Sequence, residues 1–155
     1  MAIGVKTESI DITLNFDNGD SGTFYCFPNQ KGFFDKLTSL GEKIEKRLKE
    51  IDMNGIEIDQ KGELKSDENI DIDKIEDVKN KLDIIEKANK VFEDEIDDVL
   101  SVGASAVIFK YNSPMSYHNG YGTYYALGIL GDITNEIMEK LKMSQADKIN
   151  EHIQK

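Results

Sequence analysis

One cysteine, two prolines and two histidines are all that 155 residues hold of the types that brace small folds or carry much of metal and acid–base chemistry. Cys26 has no partner within the chain, so no intramolecular disulfide can form. With no positively charged start leading into an apolar run, the sequence predicts an intracellular, reducing setting. Long apolar runs are missing too: the longest is a few residues, against the roughly 20 needed to cross a bilayer. Membrane insertion is excluded on that count, and a soluble protein is expected. A surplus of base is also absent, since 19 Lys and Arg stand against 30 Asp and Glu. The resulting field repels a phosphate backbone, which is bound by basic side chains displacing counterions, so nucleic acid is not an expected partner.

What is present is acid, and it is concentrated. Residues 1–49 hold seven acids and seven bases, and residues 99–155 hold five of each. Residues 50–98 hold eighteen acids and seven bases, and 7 − 18 = −11 is the entire net charge of the chain. A solvated helix face and a flexible linker account for such a run. The length suits a single domain over 1–155, large enough to bury a core without disulfides or metals.

Ile10, Ile12, Leu14 and Phe16 alternate with polar residues, Thr23 to Phe27 is β-compatible, and glycines and an asparagine lie between. This predicts an N-terminal β-hairpin over 9–28, whose open edge is an assembly surface. Two strands alone are marginal in water, so the hairpin must lie on helices or on another chain. A helix is expected over 30–50, with Phe33, Phe34, Leu37, Leu40, Ile44, Leu48 and Ile51 on its apolar side and Gly32 and Gly41 weakening it. The helical period fails after Ile51. Residues 52–70 read as an acidic flexible linker, a short hairpin being the alternative.

The organising element is the helix from Asp73 to Leu100, with Asp71 and Asp73 placed to cap it. Its Ile75, Val78, Leu82, Ile85, Ala88, Phe92, Ile96 and Val99 recur every three or four residues and share one face. Gly103 breaks the chain. An apolar segment with Val107, Ile108 and Phe109 follows, then a tyrosine-rich loop over 112–122. A helix over 123–143 carries Tyr124, Leu127, Leu130, Ile133, Ile137 and Leu141 inward, and Ser144 starts a last one over 145–154 with Ala146, Ile149 and Ile153 inward. The helical part thus spans 73–154, and the fold class is α+β, a mainly α-helical domain with an N-terminal β-hairpin.

Candidate chemistry is sparse. The aspartates around 59 and over 67–73 lack the alternating acids and central glycine of a calcium loop. His118 and His152 form no zinc pair. Cys26, in an apolar strand without basic neighbours, reads as an inert buried thiol. Gly120, Gly122, Gly128 and Gly131 make no phosphate loop. No cofactor and no metal is expected. Tyr111, Met115, Tyr117, Tyr121, Tyr124 and Tyr125 suit either an interface or ordinary core.

The run from Asn89 to Leu100, followed by Val102 to Phe109, resembles the tail assembly chaperones of long-tailed bacteriophages and prophages of Gram-positive hosts. In these an acidic helix leads through a glycine and small residues to an apolar Ile-Phe element, a loop and a terminal helix. The resemblance covers about Val78 to Lys142. It implies a non-enzymatic protein in the cytoplasm of the bacterial host, forming a homo-oligomer and coating the tape measure protein until tail tube protein is recruited. Self-association is expected through the hairpin edge and the stripe of the organising helix, with Ile12, Leu14, Ile96, Val99, Phe109, Tyr117 and Tyr121 as interface residues. The alternative is a small structural or adaptor protein of a phage-like particle. An enzyme rests only on the loop around His118.

Overall fold

A computed structural model describes residues 1–65 and 75–153, with side chains through residue 142. The class is α+β, mainly helical. Strands β1 (Ile10–Asn15) and β2 (Ser21–Cys26) pair antiparallel, Ile12 opposite Phe24. The expected alternation holds: Ile12, Phe24 and Cys26 are buried, while Asp11, Thr13 and Tyr25 face solvent.

The helix expected over 30–50 is two helices, α1 (Phe33–Thr38) and α2 (Leu40–Lys49), with Gln30 to Gly32 ahead of them. The break lies at Thr38 and Ser39. The Thr38 hydroxyl donates back to the Phe34 carbonyl at 2.9 Å, and the Ser39 hydroxyl to the Asp35 carbonyl. Such back-bonding competes with the helical ladder and bends the chain. Phe34 is exposed, while Phe33, Leu37, Leu40 and Ile44, spaced by four and three across the break, face the core.

Residues 52–65 of the expected linker, with Ile51 ahead of them, form an ordered turn. Ile58 and Leu64 make a single antiparallel bridge, and Ile51, Met53, Ile56, Ile58 and Leu64 pack against the core. These five apolar residues among the acids are what tie the segment down. The Asp59 carboxylate accepts the amides of Lys61 and Glu63 at 2.9 and 3.0 Å. This is turn chemistry. The rest of the linker, with the expected caps Asp71 and Asp73, lies outside the described residues.

Helix α3 (Ile75–Val99) is the central element. Its stripe is buried from Ile85 onward through Ala88, Val91, Phe92, Ile96 and Val99, whereas Ile75 and Leu82, at the other end, are 42% and 48% exposed. After Gly103, at φ 97°, the chain turns into α4 (Ala104–Ile108). A left-handed residue costs any side chain about 1–2 kcal/mol, so only glycine makes this corner freely.

A two-residue ribbon, β3 (Tyr117–His118) with β4 (Thr123–Tyr124), leads into α5 (Tyr125–Ile153). Helix α5 starts two residues later than expected because Thr123 and Tyr124 are taken by the ribbon. Its first amides, on Tyr125 and Ala126, donate to the Ser116 and Pro114 carbonyls at 2.7 and 3.0 Å, which satisfies part of the open N-terminal turn. The inward face is Ala126, Leu130, Ile133 and Ile137, so Tyr124 and Leu127 face solvent. Ser144 does not begin a new helix. Met143, Gln145, Ala146 and Lys148 are all good helix formers, without Gly or Pro to stop the ladder. The side chains of Ala146, Ile149 and Ile153 lie outside the described ones. No described helix is long and apolar enough to cross a membrane.

Candidate interaction surface

Two surfaces emerge from this frame, and the first is the corner between α3 and α4. Five acids, Glu93, Asp94, Glu95, Asp97 and Asp98, crowd the C-terminal end of α3, where the helix dipole disfavours negative charge. Four of them have partners. Arg47 donates to Glu95 at 3.1 Å and lies 3.8 Å from Asp94, and Lys36 lies 3.7 Å from Asp98. Asp97 accepts the Ser105 backbone N–H at 2.8 Å, bridging the glycine corner to the start of α4. A cleft of about 520 Å³ opens here, between Phe27, Leu100 and Val102 on its apolar side and Asp94, Asp97 and Asp98 on the other. Val102 is 96% exposed at its lip. The compositional reading of these acids as a solvated face is thus incomplete: they hold α1, α2 and α4 onto α3.

The second surface is a cleft of about 680 Å³ between β1 and α5. Its upper wall is the tyrosine loop. His118 and Tyr121 stack at 4.5 Å with their planes tilted by 38°, and the Tyr121 hydroxyl donates to Asp132 at 2.6 Å. Burial and the Asp132 carboxylate push the Tyr121 hydroxyl up to about 12. A phenol that keeps its proton so firmly is the reverse of a base poised near neutral pH. The Tyr125 hydroxyl, raised by burial, donates to the Ile108 carbonyl at 2.8 Å and ties α5 to α4. The loop is also joined to the turn over 58–64: Ser113 Oγ donates to the Lys61 carbonyl and the Tyr117 amide to the Gln60 carbonyl.

The tyrosine loop is part core and part surface. Met115 and Tyr125 are core, Tyr121 is half-buried, and Tyr111, Tyr117 and Tyr124 are exposed. Of the seven interface candidates, Leu14 and Tyr121 come together half-buried along the β1 cleft, with the buried Ile12 beside them. Tyr117 is 48% exposed on the far side of the loop. Phe109 is half-buried against the Tyr125 ring at 6.1 Å. The side chains of Ile12, Ile96 and Val99 are 3%, 0% and 1% exposed, so they are used by the monomer's own core and present no surface. Periodicity identifies an apolar face but not what covers it.

Cys26 is fully buried, and desolvation raises its thiol to about 11. Among the described residues no three His, Cys, Asp or Glu side chains group as metal ligands. Sequence reasoning missed Asp132, Glu136 and Lys140, which line the cleft one helical turn apart on α5. The four-residue spacing of their charges on one helix face was the available signal. It also missed Asp20 at the hairpin turn, which accepts from Lys110 Nζ at 2.6 Å and the Tyr111 hydroxyl at 2.5 Å. Ninety residues of separation hide that contact from any local pattern. No family model, no curated protein and no solved structure matches the chain.

Proposed function

We propose that this protein is a non-enzymatic phage tail assembly chaperone, acting in the cytoplasm of the bacterial host, which self-associates and holds the tape measure protein until tail tube protein replaces it. The resemblance over Val78 to Lys142 suggests the reading, and the α3–α4 corner is the observation that supports it most. The acidic helix, the left-handed Gly103, the small residues Ala104 and Ser105, and the apolar Ile108 and Phe109 build one corner beside an open cleft. An apolar lip of Phe27 and Val102 against three carboxylates suits an amphipathic client helix carrying Lys or Arg beside its apolar stripe. The net charge of −11 on the chaperone would keep such a complex soluble.

Co-expression with the tape measure protein tests this. A complex that survives purification, together with absence of the chain from finished tails, is the expected outcome. Presence in finished tails favours the structural or adaptor protein instead. Val102→Asp should weaken the complex while leaving the circular dichroism unchanged, because the side chain makes little contact within the monomer.

A further inference from the structure

We infer that copies of this chain join by strand donation: residues 2–8 of one copy add to the open edge of β1 in the next. The inference rests on the self-association in the proposed function and names the surfaces that would carry it. The Phe16 amide donates to the Asp20 carbonyl at 2.9 Å, making 16 and 20 a hydrogen-bonded pair. Alternation along an antiparallel ladder then assigns 14, 12 and 10 to the same kind. Asp11, Thr13 and Asn15 therefore aim their backbone N–H and C=O groups away from β2. Among the described residues, one hydrogen bond reaches these outward groups, from Lys140 Nζ to the Asp11 carbonyl at 2.6 Å. The cleft lies on this edge, for it is lined by every residue from Ile12 to Asp17 and by none of β2.

The occupant is identified by the segment ahead of β1. Ile3, Val5 and Thr7 alternate with Gly4 and Lys6, a strand pattern with β-branched residues on one face. Its first half is open among the described residues: Ile3 and Val5 are 81% and 79% exposed, and a Cβ built on Gly4 meets nothing within 4 Å, while Lys6, Thr7 and Glu8 line a cleft with Phe27, Asn29 and Gln30. The β1 cleft carries Asp17, Asp132 and Glu136 against Lys140, a balance of 1 − 3 = −2, while the donor segment carries one base, Lys6, and one acid, Glu8, at its end next to β1. Leu14, Ile129 and Ile133 supply apolar wall for Ile3 and Val5. Because donor and acceptor are different segments, one copy can accept from one neighbour and donate to another, and that head-to-tail arrangement builds a chain of copies. Such a chain is the form in which a small protein can line a long client.

The test is complementation between two variants of the full chain. Val5→Pro disables the donor at a position that is 79% exposed in the monomer. Thr13→Pro removes an outward amide that the β1–β2 ladder does not use, on an edge strand where proline is tolerated. Wild-type mass by light scattering should rise with concentration above 17.5 kDa. Each variant alone should remain a monomer with unchanged circular dichroism, and the two mixed should form a one-to-one dimer and nothing larger. If Thr13→Pro fails to fold, hydrogen exchange at the Thr13 and Asn15 amides replaces it: protection should appear at high concentration in the wild type and be lost in Val5→Pro. Association undiminished by Val5→Pro overturns strand donation and leaves self-association standing. A wild type that stays monomeric overturns both, while client binding is decided separately by co-purification.

Discussion

Asp20 sits on the surface at the hairpin turn, yet its carboxyl is held down to about 2 by Lys110 first and by the Tyr111 hydroxyl next. Lys110 is raised in turn by Asp20 first and by Tyr111 next. The folded value of Asp20 lies below its ordinary value of 3.8, so its contribution is fully present above about pH 4 and fades as pH falls through about 2. An NMR titration of this carboxyl should show a midpoint near 2, moved up more by Lys110→Met than by Tyr111→Phe; a wild-type midpoint near 3.8 would remove the contact. At Gly128 the constraint is close approach. An added Cβ would lie 2.1 Å from the Tyr121 ring, so Gly128→Ala should expel that ring and break its bond to Asp132. Ultraviolet titration would then find one tyrosine moved down from about 12 toward its ordinary 10.

Among the elements, the α3–α4 corner is the most exposed to substitution. Gly103→Ala should lower unfolding free energy by about 1–2 kcal/mol, the cost of a left-handed side chain. Asp97→Ala leaves the Ser105 amide unpaired at a buried residue and should cost about 1–3 kcal/mol, read from urea denaturation. Both the hairpin and α3 were legible in the sequence, because alternation by two and recurrence by three or four record directly which residues face inward. Less legible were features set by contacts between distant segments. The split at Ser39 depends on two hydroxyls choosing carbonyls over solvent, and the loss of Tyr124 and Leu127 from the inward face goes with the ribbon and with the Ser116 and Pro114 carbonyls that take the first amides of α5. The turn over 51–65 looked like linker because its acids outnumber the five apolar residues that anchor it. The β1 cleft was only half legible: Leu14 and Tyr121 could be picked out, but their meeting with Asp132 is a matter of tertiary packing.

At the scale of the whole molecule, one core joins the hairpin to the five described helices through Phe24, Phe33, Ile44, Phe92, Ile108 and Ile137. Phe92→Ala should cost about 3–5 kcal/mol and Tyr117→Ala about 0.5 kcal/mol or less, by the contrast between a buried and an exposed ring. The two clefts lie on different elements, the α3–α4 corner and the β1 edge, so they can be occupied at once. In the proposed assembly the corner takes the client and the edge takes the next copy. The most direct test of the central claim is co-expression of the tagged full chain with the tape measure protein, followed by size-exclusion chromatography. Both should elute together, with the tape measure protein soluble and the complex diminished by Val102→Asp. A tape measure protein that precipitates whether or not the chain is present, while the chain elutes by itself, would contradict the chaperone role.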